Sequence, residues 1–156
     1  MDPAAEPLLF YGHASDARSL GWPWVEKQLT EAGTYWDVAR GAGHPHPRPV
    51  WGLWQCPRLY LSIGGPIVTR QLVHDARVTV HLDSGTDVVI VEGVAAGPDV
   101  DSDVLQHYNA KYDWDYSVAD YGPLTVVIAS TVLAWRSGGW AGRDGFQESS
   151  RWRFPA

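Results

Sequence analysis

The segment at residues 62–66, which reads Ser-Ile-Gly-Gly-Pro, is the part of the chain best suited to bind a phosphate group. Its sequence predicts a strand that runs into two glycines and then into the start of a helix. Such an arrangement presents bare backbone N–H groups to an anion, and the helix dipole adds to the attraction. Thr69 and Arg70 follow, and they supply a hydroxyl and a guanidinium group. An ordinary tight turn is the commoner structure for two adjacent glycines, so that interpretation stays open.

Asp37 is the candidate catalytic residue. It lies within the strand-like stretch at residues 35–39, which reads Tyr-Trp-Asp-Val-Ala. A carboxyl buried in such a strand would have a raised pKa and could serve as an acid or a base. Strand alternation also permits Asp37 to point outward into water, and this is the orientation we favour from the sequence. The chain contains no nucleophile elbow, no phosphate-binding Walker loop and no spaced catalytic pair.

Two histidines, His44 and His46, alternate with prolines just after this strand. A metal site needs three or four ligands, however, and no cysteine or carboxylate cluster accompanies them. The prolines instead predict a stiff, extended entry into the next strand. The acidic residues Asp113, Asp115 and Asp120 are typical of a solvated loop. We therefore predict no metal site.

The elements that must position these residues are short. Tight turns separate them, which favours a mostly β (α+β) barrel over a layered α/β fold. The predicted helices cover residues 23–32, residues 69–74 and a segment capped by Asp101 or Ser102. The predicted strands cover residues 35–39, 48–54, 59–63, 78–82, 88–94, 124–128 and 132–135, and residues 151–154 form a polar-aromatic tail.

Composition limits the classes of function. The 156 residues fit one domain, and a net charge of −6 disfavours a nucleic-acid partner, which needs a basic face. The apolar runs, such as residues 88–91, are far too short to cross a membrane. A single cysteine, Cys56, excludes an intrachain disulfide and makes the cytoplasm the expected location. Nine tryptophans exceed what one small core can bury, so we expect some to line a pocket or an interface.

Taken in order, several segments resemble the pyridoxamine 5'-phosphate oxidase-like split β-barrel family of flavin and deazaflavin proteins. The resemblance covers about residues 22–154, and it depends on the ordered set rather than on one motif. The segments that carry it are Tyr35-Trp36, residues 43–52 (GHPHPRPVWG), residues 59–65, Arg70-Gln71-Leu72, residues 77–82 (RVTVHL), residues 87–93 (DVVIVEG), residues 109–112 (NAKY) and residues 151–154 (RWRF).

The resemblance implies a six-stranded antiparallel split β-barrel with two or three short helices, which forms a homodimer. Residues 1–20 would be an N-terminal arm, and residues 21–156 the flavin-binding domain. The cofactor would lie at the dimer interface. The implied cofactor-binding residues are Arg48, Pro49, Val50 and Trp51 along the ring, Ser62, Ile63, Gly64, Thr69 and Arg70 around the phosphate, and Trp152 and Arg153 from the chain or its partner.

The C-terminal residues have a pattern of their own. They follow a glycine-rich, polar segment at residues 138–150. Strand alternation places Trp152 and Phe154 on one face and Arg151 and Arg153 on the other. We expect the aromatic pair to pack on the barrel or on the partner subunit, which would leave Arg153 free to reach a cofactor. A purely structural closing strand is the alternative.

Two departures from the family pattern bear on function. Residues 66–68 read Pro-Ile-Val where many members carry a basic residue, and Asp37 stands where the family is usually apolar. The sequence predicts an FMN-dependent oxidoreductase that acts on an unknown small molecule. The alternatives are an F420-dependent reductase of the same family and a divergent barrel that has lost its flavin and binds or transforms another small molecule.

Overall fold

The computed structural model describes residues 2–10, 13–14, 18–99, 101–137 and 148–155. Four helices and eleven strands occur in these ranges. The helices are α1 (Trp22–Glu31), α2 (Pro66–His74), α3 (Ser102–Tyr112) and α4 (Val118–Tyr121). The strands are β1 (Ala5–Glu6), β2 (Leu9–Phe10), β3 (His13–Ala14), β4 (Tyr35–Ala39), β5 (His46–Val50), β6 (Gly52–Gln55), β7 (Arg58–Leu61), β8 (Arg77–His81), β9 (Asp87–Asp99), β10 (Leu124–Arg136) and β11 (Glu148–Arg153).

The main sheet has the strand order β1-β11-β10-β9-β8-β4-β5, and β2 and β3 pair separately. Every pairing between named strands is antiparallel. Strand β7 branches from this order, because it pairs with both β6 and the first part of β10. Only Trp51 separates β5 from β6. One continuous segment therefore pairs with β4 through its first half and with β7 through its second half.

Helix α1 covers the core inside the sheet. Pro23 lies in its first turn, where a missing N–H costs nothing, and Val25 and Leu29 share its buried face. The helix confirms the prediction for residues 23–32 to within one residue. The core that it covers combines residues from α1, seven strands and the segments that flank them: Leu20, Trp22, Val25, Leu29, Tyr35, Trp54, Leu59, Leu61, Val78, Val80, Val89, Val91, Val127, Ala129, Val132, Ala134 and Trp152.

Some elements differ from the sequence predictions. The two strands predicted at 124–128 and 132–135 form the single strand β10, because its pairing with β9 continues across the small and polar residues between them. The register shifts there, between Ala129 and Thr131, which is typical of a bulge. One strand was predicted for the segment that the structure divides into β5 and β6. Helix α2 begins at Pro66 rather than Thr69, and α4, β1, β2 and β3 were not predicted.

The C-terminal residues confirm the packing predicted for Trp152 and Phe154. Trp152 is fully buried, with its ring centroid 5.4 Å from that of Trp22, and Phe154 packs on the same indole at 5.5 Å. Residues 138–147 of the preceding glycine-rich segment lie outside the described residues.

Strand β1 belongs to the predicted N-terminal arm and pairs with β11. There Glu6 accepts from Arg151 (Nη2–Oε2, 3.0 Å) and from Arg153 (Nε–Oε2, 3.3 Å). Part of the arm is thus attached to the sheet edge. The division into an arm at residues 1–20 and a domain at residues 21–156 stays a prediction. None of the helices in the described ranges has the length and apolar character needed to span a membrane.

Candidate functional site

A cavity of about 370 Å³ lies where strands β4 and β5 meet the start of helix α2. It brings together most of the residues that the sequence singled out, from three separate parts of the chain. Strand β4 contributes one residue, β5 contributes three, and the segment from β7 into α2 contributes the rest. The lining residues are Asp37, Arg48, Pro49, Val50, Ser62, Ile63, Gly64, Gly65, Pro66, Ile67 and Val68.

Asp37 points into the protein, so the outward orientation favoured from the sequence is wrong. Strand β4 alternates, and Tyr35, Asp37 and Ala39 are its buried positions. Tyr35 lies in the main core and Ala39 is also fully buried, which fixes the parity of the whole strand. Asp37 has no exposed surface, and neither of its carboxyl oxygens has a hydrogen-bond partner among the described residues. Burial raises the pKa of Asp37 to about 7, so much of the carboxyl is protonated at neutral pH.

Arg48 is the one basic residue among those that line this cavity. It stands directly opposite Asp37 in the β4–β5 ladder, yet its side chain is turned away from that carboxyl. The guanidinium donates from Nη1 to the carbonyl oxygen of Pro47 (2.8 Å), and its Nη2 lies 3.3 Å from Nδ1 of His46. Arg48 is exposed, so its positive charge lies at the cavity mouth rather than beside Asp37.

The N-terminus of α2 forms the opposite wall. Gly65 is the N-cap residue and supplies no side-chain cap, and Pro66 has no N–H group. The first bond of the helix runs from the Thr69 N–H to the Gly65 carbonyl oxygen (3.0 Å). The N–H groups of Ile67 and Val68 therefore have no acceptor within the helix, and both residues line the cavity. This end of the helix presents a partial positive charge to a molecule in the cavity.

Thr69 and Arg70 do not line this cavity. Both are exposed, and both bond back to the first turn of α2. The Thr69 hydroxyl donates to the Gly65 carbonyl oxygen (3.0 Å), and Arg70 donates from Nε to the Pro66 carbonyl oxygen (3.2 Å). Thr69 lines a second cavity, of about 490 Å³, which shares Ile63 and Gly64 with the first. The two cavities therefore meet at the strand-to-helix turn.

Ser62 connects the cavity with the tyrosines of α3. Its backbone N–H donates to the Trp51 carbonyl oxygen (3.0 Å). Desolvation by burial raises the pKa of the Tyr108 and Tyr116 phenols, and the Ser62 side chain near them partly offsets both shifts.

Trp51 lies at the break between β5 and β6 and does not line the cavity. Its indole is 39% exposed and stacks on Tyr112, with ring centroids 4.7 Å apart and an interplanar angle of 5°. Trp114 meets it edge-on at 5.0 Å. The predicted ring contact of Trp51 therefore stays a prediction, and any such contact would have to come from outside the cavity.

Lys111 and Tyr112 fix this break, although the sequence analysis gave neither of them a place in the site. Lys111 donates from Nζ to the Gly52 carbonyl oxygen and to the Tyr35 hydroxyl, both at 2.9 Å. The Gly52 N–H in turn donates to the Tyr112 hydroxyl (2.9 Å). Desolvation lowers the pKa of Lys111 to about 8. Both side chains come from the last turn of α3, and no local motif around Gly52 indicates that α3 packs there.

Trp152 and Arg153 lie away from the cavity. The indole of Trp152 is enclosed in the core, so it is not accessible to a molecule bound in the cavity of the same chain. Arg153 is 59% exposed and pairs with Glu6. Their predicted cofactor contacts stay predictions. The burial of Trp152 in the core disfavours a contact between its side chain and a cofactor. In the part of the chain that is described, no three His, Cys, Asp or Glu residues are grouped to hold a metal ion.

Comparison with known proteins identifies the fold. No family model matches the chain, and no curated protein matches it. Solved structures do match. An FAD-binding protein from Mesorhizobium loti has a TM-score of 0.58 at 18% identity, covering 86% of this chain and 96% of that one. A proposed pyridoxamine 5'-phosphate oxidase from Listeria innocua has a TM-score of 0.53 at 18% identity, covering 72% and 93%.

An F420 reductase also matches, with a TM-score of 0.51 at 16% identity, covering 66% of this chain and 90% of that one. Identities this low establish shared architecture and nothing finer. The chain therefore has the pyridoxamine 5'-phosphate oxidase-like split-barrel fold, as the sequence resemblance implied.

Proposed function

We propose that this split-barrel chain is an FMN-dependent oxidoreductase that acts on a small molecule, with the cofactor bound at the cavity between β4, β5 and α2. The observation that carries the proposal is the cavity itself. An apolar wall and an uncapped helix N-terminus meet there, in a fold that is shared with an FAD-binding protein and an F420 reductase.

The residues present fit such a cofactor. A flavin is flat and largely apolar at its ring, and FMN carries a phosphate at the end of its chain. Pro49, Val50, Ile63 and Ile67 supply apolar surface for a ring. The N-terminus of α2 favours the binding of an anion, because it carries the positive end of the helix dipole. The backbone of Gly64 and Gly65 has open space beside it, because a Cβ at either position would meet no atom of the described residues within 4 Å.

In this proposal Ser62, Thr69 and Arg70 bind the phosphate together with the backbone of residues 63–65. Arg70 lies against the first turn of α2, where its Nε donates to the Pro66 carbonyl oxygen, and it would have to turn from there to reach the phosphate. Bound FMN would supply hydride transfer, and the chain would position the ring and exclude water. Asp37 is the candidate acid or base, since it is the only carboxyl among the residues that line the cavity.

We also propose that the chain forms a homodimer and that its β5–β6 segment acts as one bent strand, which would close a six-stranded barrel. Exposed apolar side chains support a partner, since soluble monomers expose few large ones. They include Trp51, Ile67, Val73, Val94, Trp114, Tyr121 and Ile128. In the dimer, Arg153 would reach the partner's cofactor.

The unpaired, exposed Cys56 fits the expected cytoplasmic location.

An F420-dependent reductase is the second candidate. The observation that favours it is the adjoining cavity of about 490 Å³, which could receive a longer tail than that of FMN. The scarcity of basic residues around both cavities weighs against it, because the F420 tail is acidic. A barrel that has lost its flavin is the third candidate, and the altered sequence at residues 66–68 is its motivation.

The test is the visible absorption spectrum of the purified protein, followed by titration with FMN and with F420. A flavin spectrum, or saturable binding of FMN, supports the first candidate. A colourless protein that binds F420 alone supports the second, and one that binds neither contradicts both. Light scattering at micromolar concentration tests the dimer, and a monomer would remove the shared-site part of the proposal.

A further inference from the structure

The amine of Lys111 joins two strands at one end of the cavity. Its Nζ donates to the Tyr35 hydroxyl on β4 and to the carbonyl oxygen of Gly52 on β6, both at 2.9 Å. Tyr35 and Val50 form the last pair of the β4–β5 ladder, and Gly52 follows two residues later. The amine therefore bridges β4 and β6 at the point where the pairing of β4 with β5 ends.

The backbone at Gly52 is held closely by its neighbours. A Cβ there would lie 2.7 Å from a Leu61 side-chain carbon and 3.0 Å from the Tyr60 carbonyl oxygen, so the position has no room for a side chain. The Gly52 N–H donates to the Tyr112 hydroxyl, which also lies 2.9 Å from the Gly52 carbonyl oxygen. Lys111 and Tyr112, here called the α3 clamp, thus bind both backbone polar groups of this glycine.

The cavity walls begin within two residues of the groups that the α3 clamp holds. On β5, Val50 lines the cavity, and the carbonyl oxygen of the next residue, Trp51, accepts from the N–H of Ser62 (3.0 Å), which lines the cavity from β7. On β4, Asp37 lies two residues beyond Tyr35 on the same face and also lines the cavity. A shift of the bend at residues 51–52 would therefore move the walls relative to one another.

A lysine in this position has a cost that packing alone does not explain. The amine lies over the rings of Tyr35 and Tyr112, at 4.8 and 5.3 Å from their centroids, and desolvation lowers its pKa to about 8. An apolar side chain would fill the same space without that cost. What the amine adds is its two hydrogen bonds, and these determine where the Gly52 carbonyl group and the Tyr35 hydroxyl lie.

We propose that Lys111 and Tyr112 are positioning residues of the proposed cofactor site, and that they hold the bend at residues 51–52 so that Val50 and Ser62 lie at the spacing a flavin ring requires. The inference rests on the proposed function. Neither side chain is among those that line the cavity, so the α3 clamp acts through the backbone of the bend and not by touching the cofactor. Such positioning is worth affinity because a ring binds tightly only between walls that are already in place.

The experiment measures FMN affinity by fluorescence titration for wild type, Lys111→Met and Tyr112→Phe. Methionine nearly matches the aliphatic chain of lysine but cannot donate a hydrogen bond, and phenylalanine keeps the ring that stacks on Trp51 but lacks the hydroxyl. We expect each variant to bind FMN about tenfold more weakly than wild type, because the bend loses contacts that fix it. The visible circular dichroism of FMN bound at saturation should also change, since it reports the surroundings of the ring.

The matched control is Val104→Ala, which weakens the same helix at its other end. Val104 is buried in the first turn of α3 and packs in the second core cluster, about two turns before the α3 clamp. Its truncation lowers stability by removing buried methyl groups. We expect Val104→Ala to keep the FMN affinity and the visible circular dichroism of wild type. Urea unfolding of each ligand-free variant gives the stability against which the affinities are compared.

The outcomes are distinguishable. Wild-type FMN affinity in a folded Lys111→Met overturns the positioning role and leaves the proposed function intact. Affinity that falls with stability in all three variants, the control included, means general loosening of the fold and also overturns the inference. If Lys111→Met does not fold, Tyr112→Phe decides by the same criteria. If wild type binds F420 and not FMN, the same comparison is made with F420. Failure of wild type to bind either molecule overturns both the inference and the proposed function.

Discussion

The buried Asp37 makes a quantitative prediction about stability. Its pKa is about 7 in the folded chain, and its ordinary value is 3.8. Between these values the unfolded chain releases the proton while the folded chain retains it, so stability is lost as the pH rises from about 4 to about 7. The full effect, at 1.36 kcal/mol for each pKa unit, is about 4 kcal/mol. Above about pH 7 both states are ionised and the loss levels off.

Replacing Asp37 with asparagine removes this titration and nearly preserves the shape of the side chain. The free energy of unfolding of Asp37→Asn, minus that of wild type, should therefore rise by about 3 kcal/mol between about pH 4.5 and about pH 7.5. Subtraction cancels the titration of every other group. The assay is urea unfolding of ligand-free protein, followed by tryptophan fluorescence at constant ionic strength and protein concentration.

The control is Asp115→Asn, which makes the same replacement at an exposed carboxyl, and its pH profile is compared with that of Asp37→Asn. A flat profile for Asp37→Asn would refute the reasoning, because it would mean that Asp37 ionises in the folded chain as readily as in the unfolded one. A difference that falls with rising pH would show that an unrecognised cation stabilises the carboxylate.

Four further predictions concern other parts of the chain. Trp152→Ala should lower the free energy of unfolding by about 3–5 kcal/mol, measured with urea, because the indole is fully buried. Gly93→Ala should destabilise by about 1–3 kcal/mol, since its Cβ would lie 2.4 Å from a β10 carbonyl oxygen, whereas Gly85→Ala, with open space around it, should not. The free energy of unfolding of Lys111→Met, minus that of wild type, should fall as the pH rises from about 8 toward 10, because the folded chain disfavours the charged amine, and urea unfolding at each pH checks this. Arg70→Ala should weaken FMN binding about tenfold by titration while leaving the unfolding midpoint unchanged, and unchanged affinity would place the phosphate elsewhere.

The sequence predicted elements well where local signals were unambiguous. Helix α1 has a proline in its first turn, and Gly33 separates it from strand β4. The structure confirms both predicted elements to within one residue. Strand β10 was divided in two because Ser130 and Thr131 look like a break. Its continuity comes from pairing with β9, which is distant information that a local pattern does not contain.

The candidate site was predicted in part. The segments around Arg48 and Ser62 do meet at one cavity, and their cofactor contacts stay a prediction. The orientation of Asp37 was wrong because alternation defines two faces of a strand without saying which one is buried. The contacts of Lys111 with Gly52 and Tyr35 join residues that are 59 and 76 positions apart, so only the folded chain brings them together.

The prolines of β5 have a consequence for self-association. In the described part of the chain, β5 pairs only with β4, which leaves its other side as a sheet edge. Pro47 and Pro49 lie two positions apart, on the same side of β5, and proline has no N–H group to donate. Hydrogen bonding to β4 is therefore preserved only when His46, Arg48 and Val50 turn their N–H groups toward β4. The outer edge then lacks donors at two successive positions. Another strand, whether from a second copy or from an aggregating chain, cannot extend the sheet there with a full set of hydrogen bonds. A molecule that covers this edge has to bind through side chains and carbonyl groups, which protects the mouth of the cavity from being closed by strand addition.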